Sequence, residues 1–218
     1  MMHKPVSLAE QVYERLEEDI LSGKYPRGTV LTELKLSEDL GVSRTPIREA
    51  LRMLEQDNIV VSSGKGVTVL SITPQDADTI YCIRERIEGL AAAECAKNIT
   101  SEELNALSDI LNLQEFYATK HDAERVQALD SEFHELIYRA SRSSVLYHTL
   151  RPLHKKIQKY RKNAIEFPTL RSASIAEHRA VFDAIAAHDP EAADRAITAH
   201  TQAAHRRLSE VAAKEENK

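Results

Sequence analysis

Apolar positions follow two different periods along this chain, and the change between them divides it. "SLAEQVYERLEEDILSG" sets Leu8, Val12, Leu16, Ile20 and Leu21 on one helical face, with Ser7 at the capping position and Gly23 as a stop. "KYPRGTVL" turns the chain, and a short helix follows in "TELKLSEDL", ended by Gly41. Ile47, Ala50, Leu51 and Leu54 then recur at i, i+3, i+4 and i+7, which predicts a third helix burying one stripe. Ser43 stands where it can cap that helix, and Pro46 is tolerated because it lies in the first turn. "IVVSSGKGVTVL" switches to alternation about a Gly-Lys-Gly turn and reads as a two-stranded hairpin.

Beyond Pro74 the period is helical throughout, with helices predicted at about 74–97, 101–119, 122–141, 144–165, 170–188 and 190–215. Thr73, Pro74, Asp76 and Asp78 form a start signal for the first of these, Ser101 with Glu103 opens the second, and Asp189-Pro190 opens the last. Five of the six glycines precede residue 67 and none follows Gly89, so turn chemistry belongs to the first third. The expected architecture is mainly α: a three-helix domain with a hairpin at residues 1–70, a linker at 71–74 and an all-α bundle at 75–218. The ends, "MMHKP" and "AAKEENK", are expected to fray.

Three helices with a glycine turn between the second and third, followed by a hairpin, make a winged helix-turn-helix, whose second turn helix enters the DNA major groove. Arg44, Arg48 and Arg52 lie four residues apart on a face separate from the apolar stripe. A guanidinium fork fits guanine O6 and N7, so Arg44 and Arg48 are candidate base readers, with Ser43 and Thr45 as phosphate contacts. Lys65, between Gly64 and Gly66, is placed to reach a groove or a phosphate from the wing. The alternative is a solvated face on which these arginines pair with acids such as Glu49 and Glu55.

Charge refines this picture. The formal net charge is -5, and residues 1–70 carry nine Lys or Arg against eleven Asp or Glu by direct count. DNA binding must then rest on a local cationic face and on two copies acting together, with strong salt dependence. A basic run, "HKKIQKYRK" at 154–162, reads better as a solvated helix face than as a second nucleic-acid contact. No apolar run reaches the roughly 20 residues of a membrane span, and no leader is evident, so the expected location is cytoplasmic. Cys82 and Cys95 lack CxxC spacing and read as small reduced core residues.

Nine histidines remain to be placed. Asp130 and His134, four apart in "DSEFH", project together from the edge of a stripe formed by Val126, Leu129, Phe133, Leu136 and Ile137. His178 falls within the stripe of Val181, Phe182 and Ile185, and His200 lies among Ala193, Ile197, Ala204 and Val211. His148, His154 and His205 read as pointing away from their stripes, while His3 and His121 fall in a tail and a loop. An inward histidine is commonly a hydrogen-bonded core residue. Three of them beside a carboxylate also form a nitrogen and oxygen donor set for a divalent transition metal: zinc first, with nickel, manganese or iron compatible.

"GVSRTPIREALRMLE", preceded by "LKLSEDL" and followed by the "GKG" wing, resembles the DNA-binding domain of the GntR family of bacterial transcription regulators. A helical C-terminal region with a "DxxxH" helix and two later histidines is similar to the FCD ligand-sensing domain of the FadR-like branch. The resemblance implies base reading by Arg44 and Arg48, DNA contacts by Ser43, Thr45, Lys65 and Gly66, and a metal held by Asp130, His134, His178 and His200. It further implies a homodimer on a pseudo-palindromic duplex operator, a small carboxylic-acid effector at the metal, and Arg84 as an effector contact, although Arg84 can equally pair with Glu88 one turn on. Two departures stand out: Asn58 replaces the usual Gly and must adopt a left-handed conformation, and Leu34 stands where some members carry a DNA-contacting arginine. The expected function is an effector-controlled transcription regulator, most simply a repressor and not an enzyme. A metal-free regulator with an acyl-chain pocket and a metal-dependent hydrolase are the alternatives.

Overall fold

The computed structural model describes residues 7–216, apart from the side chains at 159, 162, 163 and 209–216. Residues 1–6, His3 among them, and residues 217–218 lie outside the described residues, as do the side chains of Val211 and of Lys159 and Lys162 in the basic run. The chain divides between Thr73 and Pro74 into two compact units.

The first unit runs α1 (Leu8–Leu21), β1 (Val30–Leu31), α2 (Glu33–Leu40), α3 (Arg44–Gln56), β2 (Val60–Ser63) and β3 (Gly66–Val69). A capping box starts α1: the Ser7 hydroxyl accepts from the Glu10 amide while the Glu10 carboxylate accepts from the Ser7 amide. Gly41, at φ 67°, closes α2 in the left-handed conformation and sends the chain into α3. Ser43 occupies the N-cap position of α3 in extended backbone, but its side chain makes no capping hydrogen bond. Leu16, Ile20, Leu36, Ile47, Leu54 and Ile59 form the core of this unit. Removing each such side chain from water contributes about 1.5–3 kcal/mol.

The expected two-stranded hairpin is a three-stranded antiparallel sheet in the order β1-β3-β2, with Leu31 opposite Val67 and Val60 opposite Val69. Two residues of β1 are too few to show alternation, so the sequence pattern hid the third strand. Asn58 has φ 55°, the left-handed conformation its position demands. Gly66 has φ 148°, and a Cβ there would collide with the backbone carbonyl of Leu31, so β1 can pair with the wing only because residue 66 lacks a side chain.

The second unit is all helical: α4 (Pro74–Asn98), α5 (Ser101–Thr119), α6 (Ala123–Ala140), α7 (Ser144–Lys156), α8 (Gln158–Glu166), α9 (Pro168–Ala186) and α10 (Pro190–Glu216). The single helix expected at 144–165 is two, broken at the buried Ile157, whose backbone (φ −93°, ψ 10°) leaves the helical region. Helix α5 begins at Ser101 as expected, and Thr100 before it is the cap, sharing a capping box with Glu103. Ser143 caps α7, and the Asp189 carboxylate accepts from the Ala192 amide at the start of α10. Small residues let α4 and α10 approach closely: Ala92 and Ala96 pack in one core with Ala193 and Ile197, and a methyl on Gly89 would collide with the Asp194 carboxylate. Phe133, Ile137, Val181 and Ile185 complete that core. Cys95 is buried in it, whereas Cys82 is exposed, so the expectation of two core cysteines holds for one.

Candidate functional site

In the first unit, Ser43, Arg44, Thr45, Arg48 and Arg52 are exposed on α3, opposite the buried Ile47, Ala50, Leu51 and Leu54. Lys65 is exposed in the turn between β2 and β3. The acid that pairs with Arg44 and Arg48 is Glu33, the first residue of α2, which accepts from both guanidinium groups at 2.7–3.1 Å. Those hydrogen bonds, first from Arg48, hold the Glu33 carboxyl down to about 2. Glu55 accepts instead from the Ser62 amide at 2.9 Å and ties α3 to the wing. Leu34, beside Glu33, is 61% exposed.

In the second unit, α6 contributes Asp130 and His134, α9 His178 and α10 His200, and all four are buried. Nitrogens of His134, His178 and His200 lie within 4.8 Å of one another. Asp130 adjoins this trio through His178, whose Nε2 is 3.5 Å from its carboxylate, and also contacts the Arg161 guanidinium. His154, expected to point away, is 5% exposed and inside the cluster: its ring centre is 4.4 Å from that of His134 and its Nε2 3.8 Å from Asp130. It sits one turn beyond the buried Leu150, a signal that the neighbouring Lys155 and Lys156 obscured. Among the described residues, His134 Nδ1, both ring nitrogens of His154 and His178 Nε2 have no hydrogen-bond partner.

Acids and amides that the sequence pattern did not reveal hold the rings. Gln114 on α5 bonds His178 Nδ1 at 2.9 Å, and Glu177 on α9 bonds His200 Nδ1 at 2.9 Å. Glu177 is itself clamped by two 2.7 Å bonds from Arg207. Burial pushes the Glu177 carboxyl up, but the bonds from Arg207 and His200 outweigh it and bring it down to about 2. Burial, reinforced by the surrounding positive groups, holds the imidazoles of His134, His154 and His178 well below the usual histidine range. Neutral rings are the ligand form of histidine.

Arg84 does pair with Glu88, yet not at the surface: the two are 1% and 0% exposed, joined at 2.8 Å. Tyr138 and Thr201 also donate to Glu88. Arg84, Arg161 and Arg207 line a cavity of about 30 Å³ together with Tyr81, Ser174 and His200. Burial and the nearby Arg84 charge lower the Arg161 guanidinium to about 9. Each of the three guanidinium groups also faces a carboxylate: Arg84 that of Glu88, Arg161 that of Asp130 and Arg207 that of Glu177.

Residues 8–69 match the bacterial regulatory proteins of the gntR family, and residues 79–203 match the FCD domain. The uncharacterized HTH-type transcriptional regulator YdhC of Bacillus subtilis is 31% identical over 202 residues, 91% of this chain and 90% of that protein. The HTH-type transcriptional repressor RspR of Escherichia coli is 26% identical over 194 residues, 88% of this chain and 85% of that one. The solved structure of Escherichia coli McbR/YncC is similar with a TM-score of 0.82 at 25% identity, covering 97% of this chain and 100% of that chain. A winged first unit and a helical second unit, each matching its own family pattern, place the chain in the GntR family of bacterial transcription regulators, in the branch that carries a C-terminal FCD domain.

Proposed function

We propose that this regulator is a homodimeric repressor that binds a pseudo-palindromic operator and is released by a small carboxylic acid bound beside a divalent metal in the second unit. The observation that carries the metal is the set of buried ring nitrogens on His134, His154 and His178 that lack hydrogen-bond partners among the described residues. Buried polar atoms are almost always partnered, and several left over in one place fit a cation that needs neutral imidazoles. Asp130, His134, His178 and His200 are the proposed ligands, with zinc, nickel, manganese or iron as compatible metals. When bound, such a metal supplies an electrophilic centre for a carboxylate oxygen.

The residues of the chain set up the rest. The Gln114 carbonyl accepts from His178 Nδ1–H, which leaves Nε2 as the donor nitrogen, and Glu177 does the same for His200. Arg84, Arg161 and Arg207, each also facing a carboxylate of the chain, line the cavity beside these rings as hydrogen-bond donors for the acid, while Tyr81 limits the space. The cavity of about 30 Å³ holds little more than a water, so an organic acid enters only as the surrounding helices shift. That shift is the proposed link to the DNA-binding unit, and it needs different effector affinity in the two states. A cavity this small and this rich in arginine disfavours an acyl chain. For a hydrolase reading, neither Glu88, held by Arg84, nor Glu177, held by Arg207, is free to act as the base.

The test uses duplexes enriched from a random-sequence pool by the metal-loaded protein. Fluorescence anisotropy then follows their release by a panel of two- to six-carbon mono- and dicarboxylic acids. At least one acid should weaken binding about tenfold or more. Affinity unchanged by every acid would overturn the effector reading.

A further inference from the structure

Glu33 makes an arrangement on the DNA-facing surface that pairing of surface charges does not require. Its carboxylate takes the Nε–H and Nη2–H edge of both arginines: Arg44 at 3.1 and 2.8 Å, and Arg48 at 2.7 and 2.8 Å. A guanidinium has a second edge, the parallel N–H groups of Nη1 and Nη2, whose fork can also pair with guanine O6 and N7. Glu33 therefore takes one bidentate edge of each arginine and leaves the outer Nη1/Nη2 edge as the one free to meet a base.

We infer that Glu33 is a specificity-setting residue, which holds Arg44 and Arg48 as two rigid, parallel readers of guanine and prevents them from acting as loose phosphate binders. This rests on the proposed base-reading role of the two arginines. Three features of the chain support it. Glu33 comes from α2 and the arginines from α3, so the clamp fixes the readers relative to both helices of the turn. Its position is set in turn by Thr32, whose hydroxyl caps α2 by accepting from the Lys35 amide. The clamp also reduces two positive charges to a net one, in a unit whose acidic residues already outnumber its basic ones. Non-specific affinity comes from phosphate neutralisation, and specificity from oriented base contacts; Glu33 lowers the first and strengthens the second.

The experiment selects duplexes from a random-sequence pool with full-length wild type, Glu33→Gln and Arg48→Ala, and measures each protein against the enriched duplex and a scrambled one. Far-UV circular dichroism and thermal melting confirm folding. For wild type, guanine is expected at two positions per half-site, and Arg48→Ala is expected to lose one. For Glu33→Gln, the preference at both guanines should relax together, scrambled-duplex affinity should rise, and the ratio of the two affinities should fall by on the order of tenfold. A purely structural role of Glu33 would lower both affinities alike and keep the base preferences, which would overturn the inference. Loss of preference at a cytosine alone would overturn it as well, because Glu33 would then be reading a base itself. A wild type that enriches no sequence would instead remove the base-reading role of the arginines, and with it this role of Glu33.

Discussion

His178 offers its Nδ1 to the side-chain oxygen of Gln114 at 2.9 Å, so its Nε2 is the nitrogen turned toward Asp130, 3.5 Å away. The partner on one ring nitrogen decides the chemistry of the other. Gln114→Leu should therefore keep the fold and weaken metal binding by about 10–100-fold. Competition with a chromophoric chelator measures it, and an unchanged dissociation constant would show that Gln114 does not set the tautomer.

Acid should destabilise the metal-free protein, and the sign follows from the buried rings. Burial keeps His134, His154 and His178 neutral in the folded chain, while in the unfolded chain they protonate near 6.5. The unfolded state then binds the extra protons, so stability present above that pH is lost as pH falls below it. The loss reaches up to about 1.4 kcal/mol per pH unit for each ring. Urea unfolding of the apoprotein at pH 7.5, 6.5 and 5.5 measures the slope, which should become shallower in His154→Leu. An equal slope in both proteins would contradict a neutral, buried His154.

How far the sequence shows the site depends on which residues a helical stripe can identify. The stripe of α3 predicts its buried face correctly, and the inward positions of His134, His178 and His200 follow from the same periodicity because apolar residues flank each one. His154 does not, since Lys155 and Lys156 follow it and the break at Ile157 has no glycine or proline to mark it. Gln114, Glu177 and Glu33 are invisible for a different reason. Each is an ordinary polar residue whose role exists only after another helix arrives: α9 against α5 for Gln114, and α3 against α2 for Glu33. Strand β1 escapes because two residues carry no period.

Among the described residues, Glu88 is the carboxylate that pairs with the buried Arg84, and Tyr138 and Thr201 also donate to it. Glu88→Gln leaves that guanidinium uncompensated and should cost about 3–5 kcal/mol. Restoring a neutral pair with Arg84→Met and Glu88→Leu together should recover a large part of the loss. Denaturant midpoints for the three variants decide the matter, and a single Glu88→Gln variant as stable as wild type would contradict the buried pair.

Gly66→Ala should strain the wing, because φ 148° and the Leu31 carbonyl both exclude a side chain. Forcing such a backbone costs about 1–3 kcal/mol. The first unit should melt earlier and lose duplex binding, while the metal content of the second unit stays at the wild-type value. Wild-type duplex affinity in this variant would mean that β1 need not pair with β3.

Whether helices α6, α9 and α10 jointly hold a metal is decided by elemental analysis. Wild type, His134→Ala and His178→Ala are purified identically and measured after incubation with zinc, nickel or manganese and exhaustive dialysis. About one metal per chain is expected in wild type and little in either variant. Wild type that retains none of the three metals would contradict it and return the histidines to the role of core residues.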